Sequence, residues 1–255
     1  MHGAAHSFDL TGRVALVTGA NTGLGQAIAV ALAEAGADIA AVARSEADAT
    51  AAAVRACGRR FHRIAQALDA GVPVGAIVED CVAALGGVDI LVNNAGTIRR
   101  ADALDFSADD WDAVMGVNLR SAFFLAQAAA RQMVAQGRGG KILNIASMLS
   151  FQGGIRVASY TASKHGLLGL TRILANEWAA LGINVNAIAP GYFETNNTEA
   201  LRNDEQRNRA ILERIPAGRW GRPGDLGGAA VFLCSAAADY VHGAVLPVDG
   251  GWLAR

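Results

Sequence analysis

The chain has 255 residues, 52% of them hydrophobic, and 22 Lys and Arg against 23 Asp and Glu give a formal net charge of −1. Its basic residues are scattered, so no concentrated cationic face is offered to a phosphate backbone or an anionic lipid surface, which argues against nucleic acid and membrane as partners. Three distant cysteines, Cys57, Cys81 and Cys234, show no metal-type spacing; they argue against a disulfide framework or a metal site and suit a reducing cytoplasm.

The opening MHGAAHSFDL lacks the basic start and apolar stretch of an export leader, and no apolar run approaches the length of a membrane span. In chain order, RVALVTG reads as a strand that feeds the turn TGANTGLG and a helix beginning near Leu24. DIAAVA is a second strand, followed by a helix from about Ala47 to Cys57. VDILVNNAG, KILNIAS and INVNAIAP are further strands, separated by the long helices DDWDAVMGVNLRSAFFLAQAAARQMVAQG and SYTASKHGLLGLTRILANEWAALG. Short strands that are apolar throughout, alternating with helices, predict an α/β fold: one doubly wound parallel sheet with helices on both faces. The length suits a single domain over residues 1–255. The polar stretch from Tyr192 to Arg222, with a helix from about Asp204 to Arg214, follows a strand's carboxyl end, where a substrate lid belongs.

TGANTGLG places Gly19, Gly23 and Gly25 between a strand and a helix, where glycine permits a tight turn and the close approach of a pyrophosphate to the helix amino terminus. The end of the second strand decides the dinucleotide, because a carboxylate there would hold an unphosphorylated ribose. Here the residues are Ala43 and Arg44, so the chemistry leans towards NADP(H) within NAD(P)(H).

Tyr160 and Lys164, the latter one of only two lysines, stand four residues apart and so share a helix face. A phenol titrates near 10, and its use in acid–base chemistry near neutrality requires a shift of about two to three units. An ammonium about 4 Å away contributes about 4 kcal/mol at an effective dielectric near 20, enough for most of that shift. Ser147 ends a strand thirteen residues before Tyr160, where its hydroxyl could hold a substrate carbonyl. Asn118, a poor residue for a helix interior, either bends its helix or holds a water beside the lysine. Singly, each has an ordinary alternative as a cap, a core amide or a packed aromatic; jointly they point to a dehydrogenase.

TGANTGLG, NNAG (Asn93 to Gly96), Asn118, Ser147, YTASK and PGYFET (Pro190 to Thr195) resemble the short-chain dehydrogenase/reductase family from Phe8 to the end of the chain. That resemblance implies a Rossmann-type fold, Tyr160 as general acid/base, Ser147 as carbonyl orienter, Lys164 as phenol activator and ribose ligand, and Asn118 as anchor of a proton-relay water. It also implies cofactor contacts by Gly19, Asn21, Thr22, Gly23, Leu24 and Gly25, by Asn93, Ala95 and Gly96, and by Pro190, Gly191 and Thr195. Where the family often has an Asp and an aliphatic residue against the adenine, this chain has Ala67 and Leu68, with Asp69 out of register.

AGTIRR, SFQGGIRV, APGYFETNNT, RIPAGRWGRP and DGGWLAR further resemble a branch of the family that interconverts keto and hydroxy forms of deoxy sugar acids from uronate breakdown, such as 2-dehydro-3-deoxy-D-gluconate. Such a substrate calls for an arginine and amide partners. Arg156 is the first candidate for its carboxylate, Arg99 and Arg100 the second, and Gln152, Asn196 and Asn197 are candidate hydroxyl partners. A ketoreductase for acyl thioesters shares these catalytic motifs, although the polar lid weighs against it. A dinucleotide-sensing protein without turnover would not need them. Phe123, Phe124 and the apolar stretch Val245 to Leu253 favour self-association, and the resemblance implies a homotetramer.

Overall fold

The computed structural model describes residues 7–69, 71 and 73–255; Met1 to His6, the start of the opening segment that lacks an export leader's pattern, lie outside the described residues. The first half of the chain runs β1 (Val14–Thr18), α1 (Gly23–Glu34), β2 (Asp38–Ala43), α2 (Asp48–Ala56), β3 (Phe61–Ala65), α3 (Val74–Leu85), β4 (Ile90–Asn93), α4 (Ala108–Met115) and α5 (Ser121–Gln136). It continues with β5 (Gly140–Ile145), α6 (Ala158–Trp178), β6 (Ile183–Pro190), α7 (Glu199–Asn203), α8 (Glu205–Arg214), α9 (Gly227–Cys234) and β7 (Val245–Val248). β3, α3, α9 and β7 are elements that hydrophobic periodicity did not single out.

The seven strands form one parallel sheet in the order β3-β2-β1-β4-β5-β6-β7. Every residue of β1 and β6 is buried, which is why those strands are apolar without alternation. Ala15 and Val17 face a core shared with α1 and α9, whereas Val14 and Leu16 face one shared with α3 and α5. Burying one such Leu or Val side chain contributes about 1.5–3 kcal/mol, so the two-sided sheet is the main source of stability. Strand order reverses between β1 and β4, opening a crevice at their carboxyl ends.

Ser107 accepts a hydrogen bond from the Asp110 amide to cap α4. α4 and α5 are joined by a π-helical turn, Gly116–Arg120, that contains Asn118; Ser121 closes it by donating to the Gly116 carbonyl at 2.9 Å and to Leu68 at 2.8 Å. The expected distortion at Asn118 is thus a change of helix type, a feature common at functional sites. The whole stretch Ala108–Gln136 is long and apolar enough by length and composition to cross a membrane, but it covers the sheet and half of its apolar window is buried inside the fold. After β6 the chain leaves for the lid, whose base is closed where Glu194 donates to Gly221 and Gly221 donates to Tyr192, each at 2.8 Å. The lid holds the short α7 before the expected helix, here α8.

Candidate active site

The glycine-rich turn has the geometry that its composition implies. Gly19 and Gly23 adopt φ of 65° and 58°, in the left-handed region, and a Cβ on Gly25 would run into the Gly19 carbonyl oxygen and the Asn94 amide. Thr22 precedes α1 without capping it through its side chain, and no acidic residue stands in the first turn. The amino-terminal amides of α1 are therefore open to an anion. Thr18 ties the two strand ends together, accepting from the Asn94 and Ala95 amides, both at 2.9 Å, and donating to Val92.

Asn21 donates to the Ser45 hydroxyl at 2.8 Å, which links the glycine turn to the end of β2. There Arg44 is exposed, and the nearby Glu46 is neutralised by Arg63 at 3.1 Å. Asp69 is exposed, while Leu68 is buried. Asn93, expected at the adenosine, turns its side chain into the core and donates to the Ala122 carbonyl and to Asn144 at 3.0 Å. Only its backbone is left to the crevice, with Ala95 and Gly96. Pro190 ends β6, the Gly191 amide donates to Val248, and the Thr195 methyl lies 3.7 Å from where a Cβ on Gly23 would stand.

β5 delivers Ser147 and α6 delivers Tyr160 and Lys164. Ser147 is extended and accepts from the Leu149 amide at 3.1 Å, which leaves its hydroxyl proton to be donated towards the Tyr160 phenol. Burial pushes the Tyr160 phenol above its ordinary 10.0, opposed by the Ser147 hydrogen bond and then by the charge of Arg100. Lys164 is 5% exposed; its Nζ donates to the Ile145 carbonyl at 2.6 Å and lies 5.6 Å from the Tyr160 ring centroid. Burial pulls that ammonium down from 10.5 to about 8. In this arrangement burial outweighs the groups that pull the phenol down, first Ser147 and then Arg100.

Asn118 is buried; it accepts from the Thr97 amide at 2.8 Å and donates to the Thr97 carbonyl at 2.9 Å and to Ser163 at 3.2 Å. Ser163 in turn donates to the Tyr160 carbonyl at 2.8 Å. Both amide hydrogens of Asn118 are thus used to join the loop after β4 to the first turn of α6.

The candidate substrate arginines differ in their partners. Arg156, at an unusual φ of 64°, is paired with Asp102 at 3.1 Å, and Arg99 is paired with Asp110 at 3.2 Å. Arg100 has no carboxylate within ion-pair distance among the described residues, and its charge reaches the phenol. Gln152 accepts from the Trp252 indole at 3.0 Å, leaving its own amide hydrogens for another partner, and Asn196 and Asn197 are exposed at the lid's start. Trp252, read from the sequence as part of an apolar end suited to self-association, packs instead with Met148, Ile211, Ile215 and Trp220, while Arg214 stacks on it at 4.0 Å, so the carboxyl end anchors the lid. Among the described residues no three His, Cys, Asp or Glu side chains are grouped to hold a metal ion.

A family profile described as enoyl-(acyl carrier protein) reductase matches residues 19–253. A 2-dehydro-3-deoxy-D-gluconate 5-dehydrogenase of Escherichia coli K12 is 60% identical over 249 residues, 98% of each chain. The chain belongs to the short-chain dehydrogenase/reductase family. A crystal structure of an Agrobacterium tumefaciens family member, proposed to be a 2-deoxy-D-gluconate 3-dehydrogenase and holding NADP, is 63% identical with a TM-score of 0.91, covering 98% of this chain and 99% of that one. A gluconate 5-dehydrogenase from Burkholderia cenocepacia J2315 with NADP and tartrate is 43% identical with a TM-score of 0.94, covering 99% and 100%. As a short-chain dehydrogenase/reductase, the protein is an NAD(P)-dependent oxidoreductase acting on CH–OH groups. The open amides of α1 and the glycine turn that excludes side chains fit that dinucleotide.

Proposed function

We propose that the protein interconverts a hydroxyl and a keto group on a deoxy sugar acid of the 2-dehydro-3-deoxy-D-gluconate type. The observation that carries this reading is the grouping of Ser147, Tyr160 and Lys164 after β5 and on α6, with Arg100, exposed in the loop after β4 and without an ion pair among the described residues, as a cation for a small carboxylate. Arg156 and Arg99, each held by an aspartate, shape the entrance. The names of the 60% and 63% identical relatives support the same substrate class.

A bound nicotinamide supplies the hydride acceptor in oxidation and the donor in reduction. In oxidation, Tyr160 as phenolate takes the hydroxyl proton; in reduction, it returns that proton. Ser147, whose oxygen already accepts from Leu149, donates its own proton to the reacting oxygen and holds it against the phenol. Lys164 supplies a compact charge that favours the phenolate, with donors remaining for ribose hydroxyls. Because the Asn118 side-chain amide is committed to Thr97 and Ser163, a relay water at Asn118 would be held by its main-chain carbonyl, which accepts a hydrogen bond from that water. Glycines 19, 23 and 25 with the α1 amides hold the pyrophosphate, and Arg44 pairs with a 2′-phosphate, favouring NADP(H). Exposed Trp111, Phe124 and Ile173 support self-association, for which the family implies a homotetramer, and three free cysteines suit a reducing cytoplasm.

Initial rates at the reduced nicotinamide absorbance band, with 2-dehydro-3-deoxy-D-gluconate and the alginate-derived deoxy uronate offered with NAD(H) and NADP(H), test the substrate. Turnover of either sugar acid is the expected result; silence with both, alongside turnover of an acyl-thioester ketone, would remove the sugar acid. Arg44→Ala is expected to weaken NADPH binding about tenfold, as for the loss of one charge-assisted contact, with NADH little changed. Equal changes for both dinucleotides would take Arg44 out of the choice.

A further inference from the structure

Two of the lid's arginines have an evident task. Arg214 stacks on Trp252, and Arg219 is paired with Asp225 at 2.6 Å. Arg202, in α7, is different. Its Nε is shielded from solvent with no hydrogen-bond partner, and Nη2 reaches only the Thr195 carbonyl, at 3.3 Å. No carboxylate of the described residues stands within 4 Å of it to form an ion pair. A guanidinium partly removed from water, with a buried donor unsatisfied, destabilises the fold unless an anion completes it.

Its place in the fold says which anion. Thr195, the residue it touches, turns its methyl towards Gly23 of the glycine turn, at the open amino terminus of α1. The cation whose charge acts on the Tyr160 phenol is instead Arg100. We propose that Arg202 is a lid-borne binding residue for the pyrophosphate of the dinucleotide, facing the α1 amides across Thr195. One face of the diphosphate meets backbone N–H groups and the other meets a guanidinium, which suits phosphate by forked, charge-assisted hydrogen bonds. The anchoring of α7 then depends on the cofactor, so the lid's first helix settles when the dinucleotide is present.

The test is direct binding to the full chain without sugar acid, so failure of the proposed substrate would leave it untouched. NADPH and ADP-ribose, which carry the pyrophosphate, and 2′-AMP, which does not, are titrated by calorimetry into the native protein, Arg202→Gln and Arg202→Lys. Arg202→Gln is expected to weaken NADPH and ADP-ribose about tenfold or more and to leave 2′-AMP unchanged, with Arg202→Lys recovering part of the loss. Unchanged affinity for NADPH and ADP-ribose in Arg202→Gln would overturn the proposal, and so would an equal loss of 2′-AMP binding. A raised KM for the sugar acid at saturating NADPH, with NADPH affinity intact, would overturn it in favour of a substrate carboxylate.

Discussion

Tyr160→Phe is expected to lower kcat by about two to four orders of magnitude, the usual contribution of a positioned acid–base group, with NADPH affinity nearly unchanged. The substitution removes one oxygen and keeps the ring that packs beside Lys164. It takes away the proton carrier and leaves the glycine turn, the α1 amides and Arg44 as they were. Because burial raises the phenol above 10, Tyr160 rests neutral at pH 7, ready to donate in reduction. Oxidation needs the phenolate, so its rate should climb with pH towards the phenol's pKa, while reduction gains nothing from the same change. Paired pH–rate profiles in the two directions, with calorimetric NADPH binding for the variant, check both halves. An equal loss of turnover and cofactor binding would sink the assignment.

Lys164→Met should separate activity from stability in opposite directions. The ammonium, 5.6 Å from the centre of the Tyr160 ring, favours the phenolate, so its removal should reduce oxidation about tenfold or more. For stability, the sign follows from burial, which lowers the lysine from 10.5 to about 8. Between those values the folded chain binds fewer protons than the unfolded chain. Stability is therefore diminished in full below about pH 8 and recovers as pH rises from about 8 towards 10.5. The penalty is about 3 kcal/mol, partly offset by the 2.6 Å bond to Ile145 that the variant loses, so Lys164→Met should be about 1–2 kcal/mol more stable at pH 7. Thermal unfolding at pH 7 should show Tm higher by several degrees. A Tm several degrees lower would mean that the Ile145 contact outweighs the buried charge.

Much of this site was legible before any fold was known, and the legible part shares one property. Gly19, Gly23 and Gly25 had to be glycine because of the turn they occupy, and Tyr160 and Lys164 had to share a face because a helix repeats every 3.6 residues. Both inferences need only a few neighbouring residues. Asn118 was legible for the same reason, since an asparagine inside an apolar helix announces a local conflict, and the π-turn at Gly116–Arg120 is its resolution. β3 and β7 were harder to read because they lie at the two edges of the sheet, where burial is incomplete and the apolar run is broken.

The sequence by itself determined the parallel α/β architecture, the dinucleotide turn and the Ser147, Tyr160 and Lys164 set, because periodicity and short spacing act within single elements or between adjacent ones. Only the tertiary structure decided which charges are free. Arg156 and Arg99 are paired with Asp102 and Asp110, Arg100 has no ion pair among the described residues and its charge acts on the phenol, Asn93 turns inward to Asn144, and the Nε of Arg202 is shielded from solvent without a partner. The state of a charge depends on what stands within a few ångströms of it, and in a crossover fold those neighbours come from loops and helices far apart along the chain.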